Sequence, residues 1–250
     1  MGALDGRKAI VAGGGRGIGR AIALAFAAEG ADVAVLGRDP DTLAAVADEI
    51  RAAGRTAIGV SQDLTQVTEI PGLFDRLAAE LGGLDILVNS AGVQITGPST
   101  EVTEEQWDTT MDANLKSMFF SCQAAGRRFI DQGRGKIINL ASTFSFVGFP
   151  EFAAYCSSKG GVALLTKTLA AEWAPSSVNV NAIAPTAVKT EMNAYLLDDP
   201  NFLDFFLPKV PAGRVGDPSD VAGAALFLAG TGSDFVNGHI LLVDGGYTAV

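Results

Sequence analysis

Tyr155 and Lys159, within the stretch STFSFVGFPEFAAYCSSK at 142–159, have the types and spacing for proton transfer. Four residues apart on a helix, two side chains lie one above the other on the same face, so an ammonium can sit beside a phenol. A phenol with an ordinary pKa of about 10 is a poor base at neutral pH, and a close positive charge favours its ionised form. The expectation is therefore a Tyr155 whose pKa is lowered by Lys159. Of the three tyrosines, Tyr155, Tyr195 and Tyr247, only Tyr155 has a lysine four residues on. Other acid–base devices are poorly supplied. The single histidine, His239, leaves no material for a Ser-His-Asp triad or a multi-histidine metal site. Cys122 and Cys156 fit no metal-ligand spacing, so no metal is expected and both read as reduced thiols.

A helix bearing this pair has to be held against a cofactor or substrate, and the chain supplies alternating strands and helices to do so. The apolar run at 8–12 (KAIVA) opens directly into Gly13-Gly14-Gly15-Arg16-Gly17-Ile18-Gly19, followed by a helical pattern that ends at Gly30. Strand, glycine turn and helix together form a pyrophosphate site: Gly13, Gly15, Gly17 and Gly19 let the backbone approach, and the helix start around Arg16 and Ile18 offers free N–H groups and a positive dipole. The second strand, 32–37, delivers Gly37 and Arg38 where an acidic residue would hold the adenosine ribose of NAD. A guanidinium suits a 2′-phosphate and cannot accept the hydrogen bonds of a 2′-hydroxyl, so NADP(H) is expected rather than NAD(H). The alternative is that Arg38 is solvated and Asp39 takes the ribose.

Further elements follow in the same rhythm: a helix at 41–53, a strand at 56–60, a helix at 67–81 and a strand at 84–88 ending in Asn89-Ser90-Ala91-Gly92. Ligands of open α/β sheets sit at the carboxyl ends of the strands, which puts Asn89, Ala91 and Gly92 beside the cofactor. The segment from Thr103 reads as one or two helices interrupted by Asn114, a residue that is mildly unfavourable mid-helix. A strand at 135–141 delivers Ser142, the helix of Tyr155 and Lys159 stops near Pro175, and a strand at 178–184 ends at Pro185. The segment 190–211 concentrates large apolar side chains, among them Met192, after a strand end, as a lid over an apolar pocket would. A helix at 219–229 and a strand at 239–243 complete seven strands. The fold class is α/β: one Rossmann-type doubly wound domain over 1–250, with a seven-stranded parallel sheet flanked by helices on both faces.

Composition narrows the function. A net charge of −10 excludes the sequence-independent nucleic-acid binding that needs a basic surface. No apolar run approaches the 18 or so residues that span a bilayer, and the N-terminus lacks an export signal, so a cytoplasmic enzyme off the membrane is expected.

Taken together, AGGGRGIG at 12–19, DL at 63–64, NSAG at 89–92, Asn114, Ser142, YCSSK at 155–159, PTAVKT at 185–190 and VDGG at 243–246 resemble the short-chain dehydrogenases/reductases over essentially the whole chain. The resemblance is nearest to the gluconate 5-dehydrogenase and 3-oxoacyl-reductase branches. It implies a tetrad: Tyr155 as general acid/base, Lys159 lowering its pKa and holding the nicotinamide ribose, Ser142 bonding the substrate oxygen, and Asn114 shaping its helix and supporting a proton-relay water. It also implies that Asp63 and Leu64 flank the adenine, that Pro185, Val188 and Thr190 meet the nicotinamide half, and that the enzyme is a homotetramer, with helices at 115–130 and 160–173 available for packing. Three residues depart from the family pattern: Ala12 for Thr, Ser90 for Asn and Thr186 for Gly.

The expected activity is NADP(H)-dependent interconversion of a secondary alcohol and a ketone. Phe144, Phe146, Val147, Phe149, Met192 and the lid suggest a small-molecule substrate that is an apolar cyclic, aryl or alkyl ketone. The alternatives are a gluconate-type sugar acid or a 3-oxoacyl substrate. A cofactor-binding protein without turnover would show damage to the tetrad, and none is visible.

Overall fold

Seven strands assemble one parallel sheet; the five inner ones are buried almost throughout, because a strand covered on both faces must be apolar along its whole length, and the two edge strands are buried only at their first residue. The computed structural model describes residues 2–250. The strands are β1 (Lys8–Ala12), β2 (Asp32–Gly37), β3 (Ala57–Ser61), β4 (Ile86–Asn89), β5 (Gly135–Leu140), β6 (Val178–Pro185) and β7 (Ile240–Val243). Their order across the sheet is β3-β2-β1-β4-β5-β6-β7. The order reverses between β1 and β4, which pair with Ala12 opposite Asn89, and the crevice at their carboxyl ends is where such sheets bind ligands.

Helices cover both faces. On one side α1 (Gly17–Ala28), α2 (Pro40–Ala52) and α9 (Pro218–Ala229) close a core containing Val11, Phe26, Val33, Leu43, Ile138 and Val221. On the other, α3 (Ile70–Leu81), α5 (Ser117–Gln132) and α6 (Ala153–Trp173) enclose Ile10, Phe74, Leu87, Phe129, Ile137 and Val162. No described helix is long and apolar enough to cross a membrane.

Most expected elements form with ends shifted by a residue or two, each for a local reason. The second helix starts at Pro40 because Asp39 caps it, its carboxylate accepting from Asp41 N at 3.0 Å. The fourth strand starts at Ile86 rather than Leu84; Asp85 before it is held by Arg7 and Arg134 and accepts from Lys8 N at 3.0 Å. The segment from Thr103 runs through α4 (Glu104–Met111), a π-turn (Asp112–Lys116) and α5 without a break, so Asn114 widens the helix instead of interrupting it. After β6 the chain forms two short helices, α7 (Ala194–Leu197) and α8 (Pro200–Phe206).

Candidate active site

The end of β5 and the start of α6 bring Ser142, Tyr155 and Lys159 to one cavity wall. Lys159 is 5% exposed; its ammonium lies 5.7 Å from the centre of the Tyr155 ring and donates to the Leu140 carbonyl at 2.7 Å. Tyr155 is half-buried as a residue, with its ring packed edge-on to Phe144 and Phe152. Burial pushes its phenol up to about 12, an effect that the Ser142 side chain opposes without reversing. The sequence expectation of a phenol lowered by Lys159 is therefore corrected: desolvation wins. The lysine itself is pushed down to about 8 by burial. At neutral pH the arrangement is a protonated phenol next to an ammonium, and it is suited to giving a proton to an oxygen that is gaining charge.

Asn114 is fully buried and does not line the cavity. The π-turn aims its side chain at the loop after β4, where Oδ1 accepts from Val93 N at 2.7 Å and Nδ2 donates to Val93 O at 2.9 Å. The same Nδ2 donates to Ser158 Oγ at 3.1 Å, and Ser158 donates to Tyr155 O at 2.8 Å. Asn114 thus ties the β4 loop to the helix of the reactive pair.

A groove continues from this cavity across the sheet's switch point. It is lined by Gly13, Gly15, Arg16, Gly17, Ile18, Arg38, Asp63, Leu64, Ala91, Gly92 and Thr190, all expected from the sequence, and by Thr42 and Ser117, which were not. Glycine is required where the groove floor is tightest: Gly13 has φ +79°, and a Cβ there would lie 2.5 Å from Ala91 N. The first residue of α1 follows Arg16, an extended N-cap with no side-chain cap, so the helix presents free N–H groups to the groove. Asp39, the alternative partner for a ribose, is engaged in capping α2, and Arg38 and Arg16 are the cationic side chains lining the groove among the described residues. These features fit a dinucleotide carrying a 2′-phosphate.

Two expected cofactor residues point elsewhere. Asn89 faces the interior, donating to Asn139 Oδ1 at 2.9 Å and Cys122 Sγ at 3.3 Å, because a strand's alternation turns it away from the crevice. Gly19 lies under the glycine turn, where a Cβ would meet Gly13 O at 2.1 Å; its role is helix–turn packing. Pro185 and Val188 line the cavity, as do the expected substrate residues Ser142, Phe144, Phe149, Tyr155 and Met192. Phe146 and Val147 do not; they are 50% and 38% exposed on the outer side of the loop. Phe152, Gln94, Thr186, Leu196, Phe202 and Phe206 also line the cavity, and only the apolar density of the lid segment hinted at the last three. The lid is fastened by Gln94 Nε2 donating to Tyr195 Oη at 3.2 Å and by Phe206 stacking on Tyr247.

The comparisons with known proteins agree with this geometry. A family model described as enoyl-(acyl carrier protein) reductase matches residues 12–248. Relatives 34–42% identical to this chain cover 97–98% of it. The 2-dehydro-3-deoxy-D-gluconate 5-dehydrogenase of Escherichia coli (strain K12) is 42% identical over 98% of this chain and 97% of its own. The chain belongs to the short-chain dehydrogenase/reductase family. Another member, the 3beta-hydroxysteroid dehydrogenase 1 of Eggerthella lenta, is 40% identical over 98% of this chain and 95% of its own. The crystal structure of a gluconate 5-dehydrogenase from Burkholderia cenocepacia J2315, in complex with NADP and tartrate, superposes with a TM-score of 0.95 at 39% identity, covering 99% of this chain and 97% of that one. Gluconate-type and polyol substrates recur in the names of the similar proteins, which fits the sugar-acid alternative better than the apolar ketone expected from the sequence.

Proposed function

We propose that this family member is an NADP(H)-dependent oxidoreductase that interconverts a secondary alcohol and a ketone on a hydroxylated substrate of the sugar-acid or polyol class. The observation that carries the reaction type is the protonated Tyr155 phenol, flanked by Ser142 and Lys159 where the glycine-lined groove opens into a cavity. NADPH, when bound, supplies the hydride. Arg38 and Arg16 are placed to hold its 2′-phosphate, and the N-terminus of α1 its pyrophosphate. Ser142 orients the carbonyl oxygen, and Tyr155 delivers its proton to that oxygen as negative charge develops there. Lys159 holds the positive charge that limits the cost of the phenolate left behind. The oxidation direction runs the same proton in reverse.

The substrate class is supported by the relatives' names and by the hydroxyl and amide groups of Thr186 and Gln94 in the cavity wall. A second reading, an uncharged apolar substrate, is favoured by a specific feature. Phe144, Phe149, Phe152, Phe202 and Phe206 line the cavity, and among the described residues its only cationic side chain is Lys159, already donating to Leu140. A sugar-acid carboxylate finds no free cation in that wall.

NADPH consumption against a keto-sugar acid, a neutral ketose and a polycyclic ketone separates the readings. Higher kcat/KM on the first two supports the proposal; a large preference for the polycyclic ketone establishes the second. Tyr155→Phe lowers kcat by about 10²–10⁴-fold with NADPH binding retained; full retention of kcat removes the phenol from the mechanism. Exposed apolar side chains on the outer helices, such as Leu164 on α6 and Trp107 on α4, support assembly of copies into the homotetramer of the family expectation, which light scattering tests.

A further inference from the structure

Ser145 does not line the cavity, yet its hydroxyl touches the backbone on both sides of the reactive pair. It accepts from Ser142 N at 3.4 Å and donates to the Lys159 carbonyl at 2.7 Å. The first bond belongs to a capping box over the single turn Thr143–Ser145, in which Ser142 Oγ accepts from Phe144 N at 3.2 Å. A cap needs only that bond. The second reaches 14 residues along the chain, to the helix that carries Tyr155 and Lys159. Meanwhile the Lys159 ammonium holds the Leu140 carbonyl at 2.7 Å. Residues 140 and 145, on either side of Ser142, are therefore both bonded to the same lysine, one to its side chain and one to its backbone.

We propose that Ser145 is a positioning residue: its two hydrogen bonds fix the separation between the Ser142 hydroxyl and the Tyr155 phenol. The inference rests on the reading above, in which these two groups share the substrate oxygen. The directions are consistent, since one hydroxyl offers one proton and two lone pairs and here uses both kinds of capacity. Without it, the turn loses its hydrogen bond to α6 and is held there by the Lys159–Leu140 bond ahead of Ser142 and by the Phe144 ring against Phe152 and Tyr155, ring contacts that are less directional than the bond removed. Displacements of about 0.5–1 Å are enough to matter, because reacting groups that drift that far lose up to about 10²-fold in rate.

The test compares wild type, Ser145→Ala and Ser145→Thr as full-length proteins. For Ser145→Ala, kcat with NADPH and ketone falls about 10–100-fold, KM and NADPH affinity stay level, and the alkaline limb of the kcat profile moves. Ser145→Thr, which keeps the hydroxyl, restores most of kcat. Unchanged kcat and pH profile in Ser145→Ala overturn the proposal. So does a loss of NADPH affinity and melting temperature in step with kcat that Thr does not rescue, the pattern of a purely structural residue. Crystal structures of wild type and Ser145→Ala decide the matter independently of turnover: a Ser142 Oγ to Tyr155 Oη separation unaltered by the substitution overturns the proposal, and a widened one upholds it. A wild type that turns over no ketone while the separation widens sinks the functional reading and leaves the positioning role standing.

Discussion

Asn114 Nδ2 donates to Ser158 Oγ at 3.1 Å, and through that bond the π-turn ahead of α5 is fastened to the helix that carries the reactive phenol. Because the same amide also brackets the Val93 backbone, one side chain fixes the loop after β4, which lines the dinucleotide groove, against α6.

Asn114→Ala is expected to damage both stability and turnover. It removes the partners of the half-buried Val93 N–H and C=O and the donor to Ser158 Oγ, which keeps its own bond to Tyr155 O, at up to about 1–3 kcal/mol for a group left without a partner. For a chain of this size each kcal/mol lowers Tm by about 2–4 °C. Calorimetry with and without NADPH checks it. A Tm equal to that of the wild type means the bonds are replaced by water and the side chain is not a brace.

The ketone-reducing direction is expected to depend on pH through Lys159, whose ammonium burial pushes down to about 8. Tyr155, pushed up to about 12, stays protonated throughout the accessible range. Below about 8 both groups carry their protons and kcat is level; above it the ammonium is lost and kcat falls by up to about tenfold per pH unit. Lys159→Arg retains its charge and removes that fall, at a lower absolute rate. A wild-type profile level well above pH 8 refutes the dependence. Stability carries the opposite sign. The folded pKa of Lys159 lies below its unfolded value of 10.5, so the unfolded chain binds more protons between about 8 and 10.5 and this group's contribution to stability rises with pH across that window.

Arg38→Asp is expected to exchange the cofactor preference. Losing charge-assisted bonds to a 2′-phosphate weakens NADPH by about 10–100-fold, while a carboxylate can accept from the ribose hydroxyls of NADH. Fluorescence titration of both cofactors measures the change. Equal NADPH affinity in wild type and variant assigns the phosphate to Arg16 instead.

The spacing of short motifs was enough to reveal the α/β class, the seven parallel strands, the glycine turn and the Tyr155–Lys159 pair. These depend on contacts within a few residues: a glycine that must adopt positive φ, a strand apolar along its length, two side chains one helical turn apart. Ser142 and Asn114 are different: locally one is only the residue after a strand and the other only an awkward mid-helix residue, and their roles were legible only through resemblance to a family.

What the tertiary structure decided are the quantities set by partners far along the chain. The phenol rises because Phe144 and Phe152 fold over it, although the lysine four residues away argued for the reverse. Asn89 turns inward because Asn139 and Cys122, on β5 and α5, offer partners for its amide. Phe146 and Val147 point out while Phe152 and Phe206 point in, a choice made by the turn at Thr143–Ser145 and by how the lid lies over the cavity. Sequence determines which groups are available and which neighbours share a turn; desolvation and hydrogen-bond partnership depend on what packs against them, and that is fixed only once the sheet has brought distant segments together.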